Sequence, residues 1–394
     1  MQSKENFIVI VSTVPFPYGN ASDNAIYTFM DGFQEHGCKG EVLCVNSNSP
    51  IEHKDVLPKG EYKGVSYRYL HGVTNKRGNI INYLRSHKSL RNFRFSHYIK
   101  RKCEQFNVTA VFVTHISKSF YDLSSICCCY GAKVVLTVCE YPEYLINFNE
   151  ERALQFRNYA KNIDKYIFET KTLQDYYKKV LKKNINSIVI PATMPFDDIL
   201  ECKRTTDDCY IAYCGSIHSE AKDGLSNIIR AFAICKKSNK DITLRFVGRI
   251  GESSYFNELQ NLIQELKINE SVSFTGEVDR KQYVQSLINA KMMIVAKPKD
   301  SYYGGGLSSK VIEYLFSGNP VLMVDSDDYV YYLTHLENVY FVSDNSPETL
   351  SNALSYLLEH PVIMERIGRN GKDYALEKFN YHKLTKPLLD FLVA

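Results

Sequence analysis

Three consecutive glycines, Gly304, Gly305 and Gly306, run into a helix expected to begin near Ser308. Bare glycine amides followed by the partial positive charge of a helix N-terminus suit an anion such as a diphosphate. The same pattern also serves as an ordinary loop before a core helix. Lys310 in the first turn adds a point charge, and Glu313, one turn on, offers a carboxylate able to accept both hydroxyls of a ribose. A second group follows an apolar strand that ends at Gly215, with Ser216 and the loop histidine His218 next. Lys222 sits just before a helix expected from Gly224, placed either to meet phosphate or to lie in solvent. In the first half, Gly19, Ala21 and Ser22 would let a ligand approach the first helix. This loop lacks G-x-G-x-x-G, which disfavours a dinucleotide. His115 and Glu140 each stand just past a strand, where a structural hydrogen bond and a catalytic role fit equally well.

Positioning these groups requires strands whose ends carry them. Short Val/Ile-rich runs alternate with helical patterns in both halves. The first-half strands are expected at 7–12, 40–46, 65–70, 108–114, 133–138, 165–168 and 187–190. Helices are expected between most of them, at 23–36, 83–106, 143–162 and 172–181. The second half restarts the rhythm, with strands at 209–214, 242–247, 272–275, 292–295, 320–324 and 339–342. Its helices are expected at 224–237, 255–266, 280–288, 309–317 and 347–359. Such alternation predicts α/β architecture with parallel sheets covered on both faces. It gives two tandem Rossmann-like, doubly wound domains, with ligands beyond the carboxyl ends of the strands and an interdomain cleft as the default site. The expected boundaries are 1–191 for the first domain, 192–208 for a polar linker, 209–378 for the second domain, and 379–394 for a final helix crossing back to the first.

The chain has 394 residues, 44% of them apolar, enough for two real cores. Its start does not read as a signal peptide, because the apolar run Phe7–Val11 is too short for one and reads as a first buried strand. No run approaches the roughly 20 apolar residues that span a bilayer. Eleven cysteines, three of them consecutive at Cys127–Cys129, include no C-x-x-C pair. No zinc or other metal site is expected, and a reducing, cytoplasmic setting is. Net charge is +4, but eleven Lys/Arg and no acid fall between Tyr62 and Cys103, leaving −7 for the rest. Such a segment implies a polyanionic partner. An anionic membrane surface is the expectation. Nucleic acid is not, because no recognition motif accompanies the cations.

Together these motifs resemble glycosyltransferase family 4, the retaining group with the GT-B fold. The resemblance is strongest from Tyr210 to Val324. It lies in Lys222-Asp-Gly-Leu with Ile229-Arg-Ala-Phe, in Leu244-Arg-Phe-Val-Gly-Arg and Val272-Ser-Phe-Thr-Gly-Glu, and in Glu313-Tyr-Leu-Phe-Ser-Gly-Asn-Pro-Val. Leu307-Ser-Ser-Lys-Val-Ile-Glu-Tyr-Leu is similar to the branch that builds capsules, exopolysaccharides and O-antigens. The resemblance implies sugar transfer, with retention, from a UDP- or GDP-sugar to a hydroxyl of a glycan or lipid-linked glycan, with no further cofactor. By the same token Lys222 would hold the donor diphosphate and Glu313 the ribose. The amides of Gly306, Leu307 and Ser308 would lie near phosphate, and Gly276 and Glu277 near the nucleobase. Three departures stand out. The first Glu of the family's E-x7-E pattern falls on Gly305, and the Arg expected after Gly215 is Ser216. The first-domain His falls near Cys139, beside Glu140. The same fold could instead serve a non-catalytic subunit supporting a partner transferase, or a nucleotide-sugar epimerase.

Overall fold

The computed structural model describes residues 4–17, 21–48, 56–75, 87–142, 150–206, 209–238, 241–299 and 306–394. The chain forms two units, one over Met1–Pro195 with Tyr381–Ala394 and the other over Phe196–Asn380. The crossing falls at Pro195, inside the stretch read from the sequence as a linker. Beyond it, Asp197–Glu201 is a helix of the second unit.

In the first unit the strands are β1 (Asn6–Ser12), β2 (Lys39–Cys44), β3 (Lys59–Tyr62), β4 (Val65–Tyr69), β5 (Asn107–Val113), β6 (Val134–Val138), β7 (Lys165–Phe168) and β8 (Ser187–Val189). Its helices are α1 (Ala21–Glu35), α2 (Lys88–Gln105), α3 (Lys118–Cys129), α4 (Glu150–Tyr159) and α5 (Lys171–Leu181). The expected helices 83–106 and 143–162 are seen only where described, since 76–86 and 143–149 lie outside the described residues. The sheet order is β3-β4-β2-β1-β5-β6-β7-β8. Every pairing is parallel except β3 with β4. That hairpin was not expected. Its turn, Lys63-Gly64, has positive φ at both residues (48° and 81°), the geometry that matches strand twist in a two-residue loop.

Burial on both faces follows from alternation along β1. Phe7, Val9 and Val11 join the core that receives Phe95 and Ile99 of α2 and Leu123 of α3. Ile8 and Ile10 join the opposite core with Met30 and Phe33 of α1. Leu388 and Leu392 of the C-terminal helix Tyr381–Val393 complete that second core. Gly32 permits the close crossing, because a Cβ there would lie 2.4 Å from Thr385 Oγ1.

The second unit has strands β9 (Tyr210–Cys214), β10 (Thr243–Val247), β11 (Val272–Phe274), β12 (Met292–Val295), β13 (Val321–Val324) and β14 (Tyr340–Val342), ordered β11-β10-β9-β12-β13-β14 and all parallel. After α6 (Asp197–Glu201) its helices are α7 (Glu220–Asp223), α8 (Leu225–Cys235), α9 (Ser253–Glu265), α10 (Arg280–Asn289), α11 (Ser309–Ser317), α12 (Asp327–Tyr332), α13 (Pro347–Glu359) and α14 (Pro361–Lys378). The C-terminal helix of the first unit is α15. Strand order reverses between β1 and β5 in one unit and between β9 and β12 in the other. At such switch points the loops diverge and leave a crevice beyond the strand ends, where open α/β sheets bind ligands.

Candidate functional site

β9 and β12 flank the switch point of the second unit, and the loops after them carry its chemistry. Gly215 follows β9 and lies against α11, since a Cβ there would be 3.3 Å from Lys310 Nζ. Lys310 donates to Tyr213 Oη (2.6 Å) and pairs with Asp223 Oδ1 (2.5 Å). Its side chain is 18% exposed and that of Asp223 only 3%. Lys310 is therefore not a loose cation. Its charge is balanced by a buried carboxylate, and one N–H remains for a ligand.

Lys222 is half-buried in the last turn of the short helix α7, which Gly224 ends with φ +64°. A Cβ at Gly224 would lie 2.1 Å from the carbonyl oxygen of Ala296, so only glycine lets this turn pack against the end of β12. Directly after Ala296 comes Lys297, which the sequence reading did not single out. Burial and the neighbouring charge of Lys310 push its ammonium down to about 8, and Asp223, Asp328 and Lys222 act on it as well. Three lysines and two buried aspartates thus gather at the switch point, with a surplus of one positive charge when all are ionised.

The N-terminus of α11 adds amides. Ser308 is its cap residue but makes no side-chain capping bond, and Leu307 is buried. Helices α3, α5, α10, α12 and α13 are capped by a Ser, Thr or Asp side chain, whereas α2, α6, α7, α8, α9 and α14 share the lack of one with α11. The expectation that the Gly306 amide meets phosphate needs correction, because it donates to Asp328 Oδ2 at 3.0 Å. Gly19 and Gly305, both expected at binding sites, lie outside the described residues, as do Gly304, Tyr302 and Tyr303.

Glu313, one turn along α11, is 7% exposed. Its Oε1 accepts from Arg280 Nη1 at 2.5 Å and its Oε2 from Tyr283 Oη at 2.8 Å. Arg280 in turn grips Asp198 of α6 through Nε (2.7 Å) and Nη2 (3.0 Å). Burial disfavours the guanidinium charge, but the two carboxylates more than offset this and raise its pKa. The sequence reading missed Arg280, Tyr283 and Asp198. This clamp fixes the carboxylate in one orientation while each oxygen keeps a lone pair for a ligand hydroxyl. Gly276 accepts from the Gly248 amide at 3.1 Å, and Gly248 abuts the Gly215 carbonyl. Gly276 thus joins the same rim. Ser216 and Glu277 are exposed, Glu277 lying beyond the edge strand β11.

In the first unit, His115 and Glu140 follow the adjacent strands β5 and β6 and line the same two cavities. Both are exposed. The structure therefore brings together the two first-half residues that the sequence singled out on separate strands.

The basic segment is less free than its composition implies. Arg68 and Lys102 both pair with the buried Glu41, at 3.0 and 3.1 Å. Lys88 pairs with Asp122 (2.8 Å), Arg91 donates to Ser119, and Arg94 contacts His71. The acids come from elsewhere in the chain, which a local charge count does not register. Lys76, Arg77 and Arg85 lie outside the described residues. What α2 leaves exposed includes Phe93 (71%), His97, Lys100 and Arg101, together with Lys88, Ser89, Glu104 and Gln105, and Lys100 lies 4.0 Å from Glu104. No described helix is long and apolar enough to cross a membrane.

Comparison with known proteins bears on this geometry. Residues 202–374 match the family model of glycosyl transferases group 1. A glycosyltransferase of Methanocaldococcus jannaschii, itself uncharacterised, is 27% identical over 163 residues, 41% of this chain and 40% of that protein. The chain thus aligns with only about two fifths of that relative. Among solved structures, sucrose-phosphate synthase from Thermosynechococcus elongatus superposes with a TM-score of 0.72 at 14% identity, over 98% of each chain. Anabaena HepE in complex with UDP gives 0.73 at 14% identity, over 98% of this chain and 99% of that one. These likenesses give the fold, and the chain has the GT-B fold with a group 1 glycosyl transferase match over most of its second unit.

Proposed function

We propose that this chain is a retaining glycosyltransferase that moves a sugar from a UDP- or GDP-linked donor to a hydroxyl of a glycan or lipid-linked glycan, in the assembly of a surface polysaccharide. The observation that carries this reading is the meeting of Lys222, Lys297 and Lys310 with the uncapped N-terminus of α11 and the clamped Glu313 at one switch point. A nucleoside diphosphate presents complementary groups in the same order. Its phosphates face the lysines and amides, and its ribose diol faces the carboxylate. HepE, a neighbour in fold, was crystallised with UDP and with UDP-glucose, which supports a donor of this kind.

In the transfer, the anomeric C–O bond breaks as the diphosphate departs, and negative charge grows on its leaving oxygen. Lys222, Lys297 and the amides of Leu307 and Ser308 are positioned by the fold before that charge appears, which is the economical way to stabilise it. The departing phosphate oxygen can take the acceptor proton on the face it leaves, so retention needs no carboxylate nucleophile. This suits a chain with Gly305 where the family pattern has its first Glu. Proton NMR of the first product formed tests the stereochemistry. The new linkage is expected to keep the donor's anomeric configuration, and the opposite anomer would rule out retention.

The lowered Lys297 gives the donor site a pH signature. Below about pH 8 the ammonium is already charged, and a bound diphosphate raises its pKa further. Nucleotide affinity is therefore expected to be flat from about pH 7, where the terminal phosphate is fully ionised, to about pH 8, then to fall by up to about tenfold per pH unit as binding must also take up a proton. Calorimetry on Lys297→Met should show weaker binding without this bend. An unchanged bend would assign the titration to another group.

The reading places the enzyme at the cytoplasmic face of an anionic membrane, held by the outer surface of α2. Phe93, Arg94, His97 and Arg101 line a groove of about 330 Å3 there. An exposed aromatic among cations suits the headgroup layer. Co-sedimentation with vesicles containing phosphatidylglycerol is expected to drop several-fold in Phe93→Ala/Arg101→Glu. Equal binding to neutral vesicles, or none to either, would remove the membrane from the account.

A further inference from the structure

A cavity of about 410 Å3 opens at the end of the second unit's sheet opposite the switch-point crevice. Two of its lining residues, Lys291 and Pro320, stand directly before the parallel strands β12 and β13, at the strand starts rather than the strand ends. Four cations line it, Arg204, Lys291, Arg369 and Lys372, against one carboxylate, Glu365. With all five ionised, three positive charges are left over. Arg204 is already engaged. It donates to the carbonyl oxygens of Asn289 (2.9 Å) and Ala290 (3.0 Å) and to Asn319 Oδ1 (2.8 Å). Those bonds answer carbonyls at the end of α10. Among the described residues, by contrast, no hydrogen bond or ion pair engages the side chain of Lys291, Arg369 or Lys372. The wall between the cations is apolar, with Pro320, Pro361 and the buried Met364. It is also fixed in place. A Cβ on Gly368 would lie 2.2 Å from the Gly318 carbonyl oxygen, so α14 rests directly on the turn that follows α11.

We propose that this cavity binds a phosphate-bearing ligand other than the sugar donor, as a phosphate monoester or a diphosphate. Three cations without partners, held around one concavity, repel one another, and a multivalent anion relieves that repulsion. An apolar wall lowers the local dielectric and strengthens the attraction. Arg369 offers a planar fork for two phosphate oxygens, and the lysines add point charges. The helix α14 starts at Pro361 on the rim and contributes its positive end. Glu365 cancels one charge and leaves enough for a dianion. The cavity has the size of a small-ligand site. The inference stands apart from the transfer reading, because none of these residues belongs to the donor crevice. The phosphate can arrive on a soluble compound or as a lipid headgroup.

Acetylation of the full chain, read lysine by lysine by mass spectrometry, tests the site and separates the two sources. The probes are inorganic pyrophosphate and neutral vesicles with or without phosphatidic acid. Lys291 and Lys372 are expected to react about fivefold more slowly under at least one phosphate probe, while the exposed Lys237 keeps its rate. Protection by pyrophosphate assigns a soluble ligand, and protection by phosphatidic acid vesicles alone assigns a headgroup. In Arg369→Gln the probe concentration for half protection should rise about tenfold. In Lys222→Ala, which alters the donor crevice, it should stay unchanged. No protection by either phosphate probe would overturn the proposal, as would a midpoint unmoved in Arg369→Gln. Protection matched by sodium chloride at equal ionic strength, or by vesicles without phosphatidic acid, would do the same. Loss of protection in Lys222→Ala would assign the effect to the donor crevice and remove this second site.

Discussion

Lys222→Ala is expected to lower kcat for sugar transfer by about 10²–10³-fold, the cost of removing one preorganised charge from a developing oxyanion. Lys222 reaches the site from the last turn of α7, held by the tight packing of Gly224 on the Ala296 carbonyl. It is half-buried, so its loss should leave folding nearly intact. The form of the defect matters as much as its size. An interaction that strengthens as charge grows on the leaving phosphate lowers kcat and kcat/KM together. If only KM rises, Lys222 binds donor without stabilising the transition state. Near-normal turnover would sink the assignment of this lysine.

A second large effect concerns stability. Lys310→Met would take from Asp223, whose side chain is 3% exposed, the ammonium that pairs with it at 2.5 Å, leaving it only the less direct charge of Lys297. Removing one member of a buried ion pair costs about 3–5 kcal/mol, mostly because the surviving charge is left unpaired. For a unit of this size that corresponds to a loss of about 6–20 °C in melting temperature. Adding Asp223→Asn removes the stranded charge, and the double variant should recover more than half of the loss. A double variant as unstable as the single would show that Lys310 acts through packing alone. A recovered double variant would show that Lys310 organises the site through Asp223 as well as offering its remaining N–H to a ligand.

The strands were the most legible part of the sequence. Runs such as Met292–Val295 are apolar throughout because both faces of a parallel strand are covered, and residue type alone reports that. Lys59–Tyr62 escaped notice because an exposed edge strand needs no apolar pattern, and its one signal is the turn at Lys63-Gly64. The helix Pro361–Lys378 was also passed over. Only a few of its side chains are buried, so its periodicity is faint.

Within the candidate site, Glu313, Lys222 and Lys310 could be found because each sits in a compact local pattern. Lys297 could not, since its meaning depends on β12 lying beside β9, and strand order is set by tertiary packing. Arg280 and Asp198 were hidden for the same reason. They come 33 residues before Glu313 and 82 residues before Arg280, respectively, and only the fold closes those loops. The basic segment shows the opposite error. Its cations were counted correctly, but Glu41 and Asp122, which neutralise several of them, lie outside it.

The central claim is a nucleoside diphosphate site at the switch point of the second unit. A thermal-shift screen of the full chain against UDP, GDP and their sugars tests it most directly, with Glu313→Gln as the comparison because it keeps the volume of the side chain. The account predicts that one base series raises the melting temperature and that the rise shrinks in the variant. No shift with any nucleotide at millimolar concentration, in a protein that melts cooperatively, would contradict it.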